Sequence, residues 1–165
     1  MKNFKQIPTL GLFIFLLFFS SLLLGFYLSE DLLSKGTYND FHTTWNLVLA
    51  LKKNLFADYS VWAAHSPLHY IILSRLNFLI EDQYLLRLFY CTLSIFVPLL
   101  FYLNLKVKFD SVNRNTLLIL SSLIFIIPTF RSCAVWANYQ VTALIFFLLS
   151  ILFFLKWDKN ENYKK

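Results

Sequence analysis

Side chains that could do chemistry are concentrated in one stretch of this chain, residues 29–83, between two long apolar blocks. Six of the nine acidic residues lie there: Glu30, Asp31, Asp40, Asp58, Glu81 and Asp82. The same stretch holds His42, His65 and His69. Carboxylates and histidines are the groups that most often take a proton from a nucleophile. The stretch is therefore the place to look for a reaction, and the rest of the chain must position it.

The rest of the chain is strongly apolar. Of the 165 residues, 58% are hydrophobic and only 15% are charged, and the apolar residues form long blocks rather than alternating patterns. This composition predicts an integral membrane protein. The net charge of +6 does not indicate a nucleic-acid partner, because the lysines and arginines stand beside the apolar blocks, where they set orientation.

Four segments are predicted to cross the membrane, at residues 10–28, 84–105, 116–134 and 141–157. Each approaches the roughly 20 residues that a helix needs to span about 30 Å of hydrocarbon. The first is expected to be a retained span, since no small-residue cleavage site follows it. The third is short, and we expect it to bend at Pro128, because proline removes a helix hydrogen bond.

The segment 67–80 is expected to lie on the outer surface of the membrane instead of crossing it. As a helix it would be only about 21 Å long, and Arg75 stands in its middle. If it crossed, the loop containing Lys106, Lys108 and Arg114 would lie outside, against the positive-inside rule. We therefore predict a multi-pass protein of the cell membrane with cytoplasmic N- and C-termini and residues 29–83 as one outer loop.

Two short interfacial helices are predicted in this outer loop, at residues 41–56 and 67–80. The first has apolar side chains on one side and Asn39 or Asp40 as its cap. That apolar side consists of Phe41, Trp45, Val48, Leu49 and Phe56. The second has Ser66 as its cap and Pro67 at its first position. The predicted fold is an all-α integral membrane protein, a single domain over residues 1–165 with about four transmembrane and two interfacial helices.

Three segments in this order resemble a known enzyme class. They are "YNDFHTTWNLVLALKKN", "HSPLHYIIL" and "LLRLFYCTLSIFVPLLFYL". The chain is similar to the N-terminal part of the GT-C class of glycosyltransferases, which use polyprenyl-phosphate sugars and include protein O-mannosyltransferases and the aminoarabinose transferases of lipid A. The second segment is similar to the class's His-Pro-Pro-Leu-Tyr-Tyr-Leu box, with Ser66 in place of the first proline.

The resemblance implies an inverting transfer of a sugar from a polyprenyl-phosphate carrier to an acceptor hydroxyl or amine at the outer face. Asp40 is then the general base, because a hydroxyl is a poor nucleophile until a carboxylate takes its proton. His65, Arg131 and His42 are then the substrate-binding residues, and positive charge would hold the carrier's phosphate. No cofactor is expected, and since the chain has no Asp-x-Asp pair we expect no metal site.

Each of these residues also has a simpler structural explanation. Asp40 is accounted for as a helix cap, and Arg131 as an anchor at the membrane surface. The three histidines are accounted for as ordinary interfacial polar residues. Arg75 and Arg87 fit side chains that extend to lipid headgroups. The four tryptophans fit an aromatic belt at the membrane surface: Trp45, Trp62, Trp136 and Trp157.

Two interpretations of the whole chain remain open. Members of the GT-C class usually have more spans, and several have a second acidic residue in the next outer loop, where this chain reads "RSCAVWANYQ". The first interpretation is a truncated or split transferase, whose partners are a polyprenyl-phosphate-linked sugar, membrane lipid and a subunit that supplies the missing spans. The second is a small non-catalytic membrane protein that acts as an accessory subunit or assembly factor.

Overall fold

The computed structural model describes residues 9–28, 35–54, 68–76 and 82–162, and the elements within these ranges are helical. In chain order these are α1 (Thr9–Tyr27), α2 (Lys35–Lys53), α3 (Leu68–Ser74), α4 (Gln83–Leu93), α5 (Phe96–Lys108), α6 (Arg114–Ser122), a 3-10 helix (Leu123–Ile126), α7 (Pro128–Val135) and α8 (Tyr139–Asn162). The described part of the chain is thus helical, as the sequence predicts.

Three helical stretches are long and apolar enough to cross a membrane. They are Thr9–Tyr27, Gln83–Lys108 and Tyr139–Asn160, where the second consists of α4 and α5 together. A fourth crossing results if Arg114–Ile126 and Pro128–Val135 form one bent span. These stretches coincide, to within a few residues, with the predicted segments 10–28, 84–105, 116–134 and 141–157.

The predicted bend at Pro128 is confirmed. The helices on its two sides meet at 68°, and Pro128 is the first residue of α7. Ile127 has an extended backbone, with φ −73° and ψ 118°, because the ring of a following proline disfavours the helical conformation. The segment 116–134 is therefore two helices joined at a sharp corner.

The joint between α4 and α5 has a similar cause. Pro98 lies in the first turn of α5, where it cannot donate a backbone hydrogen bond to the preceding helix. The hydroxyl of Ser94 donates to the carbonyl of Cys91 at 2.6 Å, which closes the end of α4. The two helices still form one stretch of 26 residues, Gln83–Lys108, that is long enough to cross a membrane.

Contacts between helices define two ends of the bundle. Helix α1 runs in the same direction as α6 and α7. Gly11 near its start bonds to Asn115 in α6, and Ser21 farther along accepts from Arg131 in α7. The "Trp136 end" is where α1 and α7 end and α4 and α8 begin. The "Asp110 end" is the loop 109–113 with the first residues of α1 and the last turns of α8, where Lys159 pairs with Asp110.

Helices α1 and α6 approach each other closely near the Asp110 end, where α1 crosses α6 at Gly11. The Gly11 N–H donates to the Asn115 side chain at 2.9 Å. A Cβ added at Gly11 would lie only 2.9 Å from the Asn115 carbonyl oxygen. A side chain here would therefore push the two helices apart.

Large apolar side chains cover much of the outer surface of the described helices. On α8, Phe147, Phe153 and Phe154 are each about 60% exposed or more. On α1, Phe13 and Leu17 are more than half exposed. Contiguous apolar surface of this extent is rare on soluble monomers, and it is the surface that a helix in lipid presents.

Helix α2 differs from the prediction. It runs from Lys35 to Lys53, whereas the predicted helix covered residues 41–56. Asp40 therefore lies in the second turn, and its predicted role as the cap is wrong. The extra turn is stabilised by packing, because the rings of Tyr38 and Phe41 lie 5.3 and 5.6 Å from that of Trp136.

The buried side of α2 follows the predicted helical spacing only in part. Phe41, Trp45 and Val48 are buried as predicted, Leu51 is buried as well, and Leu49 is only half-buried. Phe56 lies outside the described residues. The spacing thus identified most of the side that packs, although the helix begins six residues before the predicted start.

Helix α3 is shorter than the predicted 67–80, since it ends at Ser74. Arg75 and Leu76 donate to the carbonyls of Ile72 and Leu73, three residues back, a pattern that tightens the last turn and ends the helix. Seven residues make only about 10 Å of helix, too short to cross a bilayer. The predicted cap Ser66, Pro67 and residues 77–80 lie outside the described residues.

Candidate functional site

Trp136 lies at the centre of the Trp136 end and is only 2% exposed. The guanidinium carbon of Arg87 lies 3.6 Å from the centre of its ring, close enough for a strong cation–π contact. Arg87 Nε also donates to the carbonyl of Val135 at 3.0 Å. Arg87 therefore points into the protein rather than towards lipid headgroups, and Trp136 is a core residue rather than part of a surface belt.

Trp136 is held on a tight turn between α7 and α8. The Asn138 N–H donates to the carbonyl of Cys133 at 2.9 Å, across a residue with positive φ, as in a Schellman helix end. That residue is Ala137, with φ 50°. A left-handed conformation costs a non-glycine residue roughly 1–2 kcal/mol, so other contacts must hold this turn in place.

One of these contacts comes from His69 on α3. Its Nε2 lies 3.0 Å from the Ala137 carbonyl, and its Nδ1 lies 2.9 Å from the Thr142 hydroxyl. A carbonyl only accepts, so Nε2 carries the proton and Nδ1 accepts from Thr142. Burial lowers the pKa of His69 to about 4, although the Ala137 hydrogen bond acts in the opposite direction. His69 is therefore neutral at pH 7 and fixes the turn without adding charge.

Tyr90 completes this buried network. Its hydroxyl donates to the carbonyl of Asn138 at 2.8 Å and accepts from the Thr142 N–H at 3.0 Å. The hydroxyl oxygens of Tyr90 and Thr142 are 2.6 Å apart. Helices α3, α4 and α8 are thus joined by hydrogen bonds around one turn, and this network orders the Trp136 end.

Asp40 lies on the exposed side of α2. It is close enough to Tyr70 on α3 to help raise the pKa of that phenol, which burial raises most and the neighbouring Tyr139 raises further. The Thr44 side chain, which hydrogen-bonds to Tyr70, acts in the opposite direction. The side chain of Asp40 makes no hydrogen bond or ion pair with another described residue. Its carboxylate is therefore open to solvent at the place where α2, α3 and α8 meet.

His42 and Asp40 do not face the same side of α2. Residues two apart on a helix point in different directions, and His42 is half-buried with its ring 4.4 Å from that of Tyr38. His65 lies outside the described residues. The structure therefore brings Asp40 near Tyr70, while His42 packs against a neighbouring turn of its own helix.

Arg131 holds the corner at Pro128 against α1. Its Nη1 donates to the Phe125 carbonyl at 3.1 Å, and its Nη2 donates to the Ser21 carbonyl at 3.0 Å. In an unbroken helix the Phe125 carbonyl would accept from residue 129, and the corner removes that partner. These contacts favour the structural explanation of Arg131 over substrate binding.

The indole Nε1 of Trp136 has no hydrogen-bond partner among the described residues, although it is buried. Leaving a buried donor unpaired costs about 1–3 kcal/mol. An acceptor oxygen of a bound ligand would satisfy it. The Trp136 end thus combines an exposed carboxylate, a half-buried cation and a buried donor.

An apolar groove of about 400 Å³ runs from the Trp136 end along α5, α7 and α8. Gln140 and Cys133 lie where the groove is nearest to the Trp136 end, and the Cys133 thiol donates to the Gln140 side chain at 2.9 Å. Apolar residues line the rest, among them Val97, Phe101, Phe130, Leu144 and Leu148. A hydrocarbon chain fits such a groove, since it has almost no polar lining.

Sequence reasoning missed most of this network. His69, Tyr90 and Thr142 carry no spacing signal, because their meeting depends on three separate helices. Arg87 did carry a signal in the sequence, since a charged residue inside an apolar segment usually faces the protein interior. The meeting of these residues could therefore not be predicted from the sequence, because they are far apart along the chain.

No group of three His, Cys, Asp or Glu side chains among the described residues is placed to hold a metal ion. No family model, no curated protein and no solved structure matches this chain.

Proposed function

We propose that this chain is a multi-pass membrane protein that transfers a sugar from a polyprenyl-phosphate carrier, alone or together with a partner subunit. The reaction takes place at the Trp136 end. The observation that carries the proposal is the exposed carboxylate of Asp40 on α2, which lies near enough to Tyr70 on α3 to affect the pKa of that phenol.

Asp40 acts as the general base. It lies within α2 rather than at its end, so helix capping does not account for it. An acceptor hydroxyl that approaches from solvent meets this carboxylate first, and removing its proton in the transition state is worth typically 10²- to 10⁴-fold in rate.

The carrier is held by two features of the same end. Its isoprenoid chain lies in the apolar groove between α5, α7 and α8. Its phosphate lies near Trp136, whose buried Nε1–H donates to a phosphate oxygen. Arg87, on the face of that ring, adds positive charge that favours the leaving group.

The proposed topology has four crossings, with the bent pair α6–α7 as one of them. The Asp110 end faces the cytoplasm because its basic residues outnumber its acidic ones. The basic residues are Lys106, Lys108, Arg114, Lys156 and Lys159, and the acidic ones are Asp110, Asp158 and Glu161. The chain then enters α1 and leaves α8 on the cytoplasmic side, and α2 and α3 lie on the outer side.

Cysteine labelling of intact cells tests this orientation. Lys53→Cys on α2 should react with a membrane-impermeant maleimide, whereas Val112→Cys in the 109–113 loop should react only after the cells are broken. The native Cys91 and Cys133 are buried and give a low background. Labelling of position 112 in intact cells would contradict the topology.

Substitution of Asp40 tests the reaction. The protein is reconstituted in liposomes with undecaprenyl phosphate carrying radiolabelled mannose, glucose or aminoarabinose, and a total membrane extract supplies acceptors. Release of free undecaprenyl phosphate is followed by thin-layer chromatography. Asp40→Asn should lower the release from the preferred donor at least about 100-fold, because proton removal is lost while shape is kept.

Asp82→Asn is the matched control. It also removes an exposed carboxylate near the Trp136 end, but Asp82 caps α4 by accepting from the Tyr84 N–H at 2.7 Å, and asparagine caps equally well. This variant should keep the wild-type rate. Full activity in Asp40→Asn, or no donor consumed by the wild-type protein, would contradict the proposal.

A further inference from the structure

A second cleft, of about 540 Å³, lies at the Asp110 end between α5, α6 and α8. Among the described residues, four cationic side chains line it, namely Lys106, Arg114, Lys156 and Lys159, together with the carboxylate of Asp110. The cleft is at the opposite end of the bundle from Asp40, so it is separate from the site proposed for sugar transfer.

The positive charge of this cleft is only partly neutralised from within. Lys159 donates to Asp110 at 3.0 Å, which lowers the pKa of that carboxyl and keeps it ionised. No ion pair joins Lys106, Arg114 or Lys156 to another residue whose side chain the structure describes. Three further positive charges therefore line one cleft, and a cleft lined by one sign of charge attracts anions.

The floor of the cleft is apolar. Leu117 and Leu152 are buried beneath it, and Leu103 and Val107 complete the lining. Phe109 and Val112 extend the apolar surface along the loop and are largely exposed. A free phosphate ion would leave this floor in contact with water, whereas a lipid would cover it with its chains.

The cleft also lies at the depth of lipid headgroups. The two long apolar stretches that flank it end at Lys108 and Asn160. Trp157, which is 61% exposed, stands at the same level, where tryptophan is common at the boundary between lipid and water. Basic pockets between transmembrane helices are known to hold anionic lipid headgroups.

We propose that this cleft binds the headgroup of an anionic phospholipid. Lys106, Arg114 and Lys156 contact the phosphodiester, and the acyl chains cover Leu103 and Leu152. The inference rests on the helices lying in a bilayer and is independent of sugar transfer. A bound lipid at this position fixes the 109–113 loop to the membrane.

Native mass spectrometry of the detergent-purified full chain tests the proposal. The protein is titrated with dioleoylphosphatidylglycerol or dioleoylphosphatidylcholine, and the dissociation constants are compared. Wild type should prefer the anionic lipid. In the double variant Lys106→Gln/Lys156→Gln, affinity for phosphatidylglycerol should fall roughly 30-fold, since each basic residue near a lipid surface contributes about fivefold.

Two further variants keep the test specific. Lys52→Gln/Lys53→Gln removes the same charge from exposed positions on α2 and should bind phosphatidylglycerol like wild type. Lys106→Arg/Lys156→Arg should retain binding, because it keeps the charge. Equal binding of the two lipids by wild type, or equal loss in the Lys52/Lys53 variant, would overturn the proposal.

Inorganic phosphate distinguishes the two sources of the anion. If the cleft holds a lipid, millimolar phosphate should leave the phosphatidylglycerol adduct in place, because phosphate gains nothing from the apolar floor. Displacement of the lipid by phosphate would overturn the assignment to a phospholipid.

Discussion

The two ends of the bundle use polar groups in opposite ways. At the Trp136 end, His69, Tyr90 and Thr142 are withdrawn from water and bound to one another or to backbone carbonyls. At the Asp110 end, charged side chains surround an open cleft, and the ion pair of Lys159 with Asp110 is exposed. Hydrogen bonds between buried groups hold the first end together, whereas exposed charges dominate the second.

The difference predicts where a substitution is costly. A buried polar group that loses its partner keeps its full desolvation penalty, and a buried aromatic ring that is removed leaves a cavity. An exposed ion pair exchanges one set of contacts for similar contacts with water. The Trp136 end should therefore tolerate little change, and the Asp110 end should tolerate much.

Replacing the two tryptophans at opposite ends should give the largest contrast. Trp136→Ala removes a ring that contacts Arg87, Phe41 and Tyr38, and should lower the free energy of unfolding by about 3–5 kcal/mol. Trp157→Ala, at an exposed ring, should change it by less than about 0.5 kcal/mol. The measurement is SDS-induced unfolding in mixed micelles, followed by circular dichroism. Equal losses would mean that the two ends do not differ in this way.

Protonation of His69 should give the next largest effect. Its pKa is about 4 in the folded protein and 6.5 in the unfolded chain, so the unfolded chain binds more protons between these values. The stabilisation is complete above pH 6.5 and falls by roughly 3 kcal/mol as the pH drops to about 4. SDS unfolding curves across this range measure it.

His69→Gln is the control for that pH dependence. The amide nitrogen of glutamine can still donate to the Ala137 carbonyl, but the side chain no longer titrates. The difference between wild type and variant isolates His69 from the carboxylates that titrate in the same range. Identical pH profiles for the two proteins would show that His69 is not buried as a neutral side chain.

A smaller effect is expected from substitution of Gly11. This position tests whether close helix packing near the Asp110 end costs less to disturb than the buried groups of the Trp136 end. Gly11→Ala should lower the free energy of unfolding by about 1 kcal/mol, since the new Cβ would lie 2.9 Å from the Asn115 carbonyl oxygen. The better helix propensity of alanine offsets part of the cost. Ser20→Ala, exposed on the same helix, should be neutral. If Gly11→Ala unfolds like wild type, α1 and α6 do not pack this closely.

The smallest effect should come from Asp110→Asn. Lys159 lowers the pKa of Asp110, so the pair stabilises the protein at neutral pH and loses this contribution as Asp110 is protonated in acid. Both side chains are well exposed, and solvent screens their attraction. In about 150 mM salt the unfolding curve should match that of wild type. A large loss would show that charge at this end is as structurally important as the buried network.

Local features of the sequence predicted the helices that depend on local physics. Length and hydropathy placed the long apolar stretches to within a few residues, because a helix that crosses lipid must be apolar over its whole length. Pro128 placed the corner, because its ring acts on the residue directly before it. The start of α2 was misplaced, since its first turns are stabilised by Trp136, almost 100 positions away.

The same distinction between local and long-range interactions applies to the candidate site. Asp40 was predicted as the general base from the resemblance of its segment to an enzyme class, and its exposure agrees with its position off the apolar side of the predicted helix. The stacking of Arg87 on Trp136 and the buried network around His69 could not be anticipated, because each depends on partners supplied by other parts of the chain. His42 and Arg131 looked available in the sequence but pack within the protein.

By itself, the sequence determined a helical chain with long apolar segments, a corner at Pro128 and a basic loop after α5. These follow from interactions between neighbouring residues and from the solvent that each segment requires. Only the tertiary structure decided that Arg87 lies on Trp136, that His69 holds the turn at Ala137, and that four cations surround one cleft. Such arrangements join residues far apart in the chain, and they exist only once packing has brought their helices together.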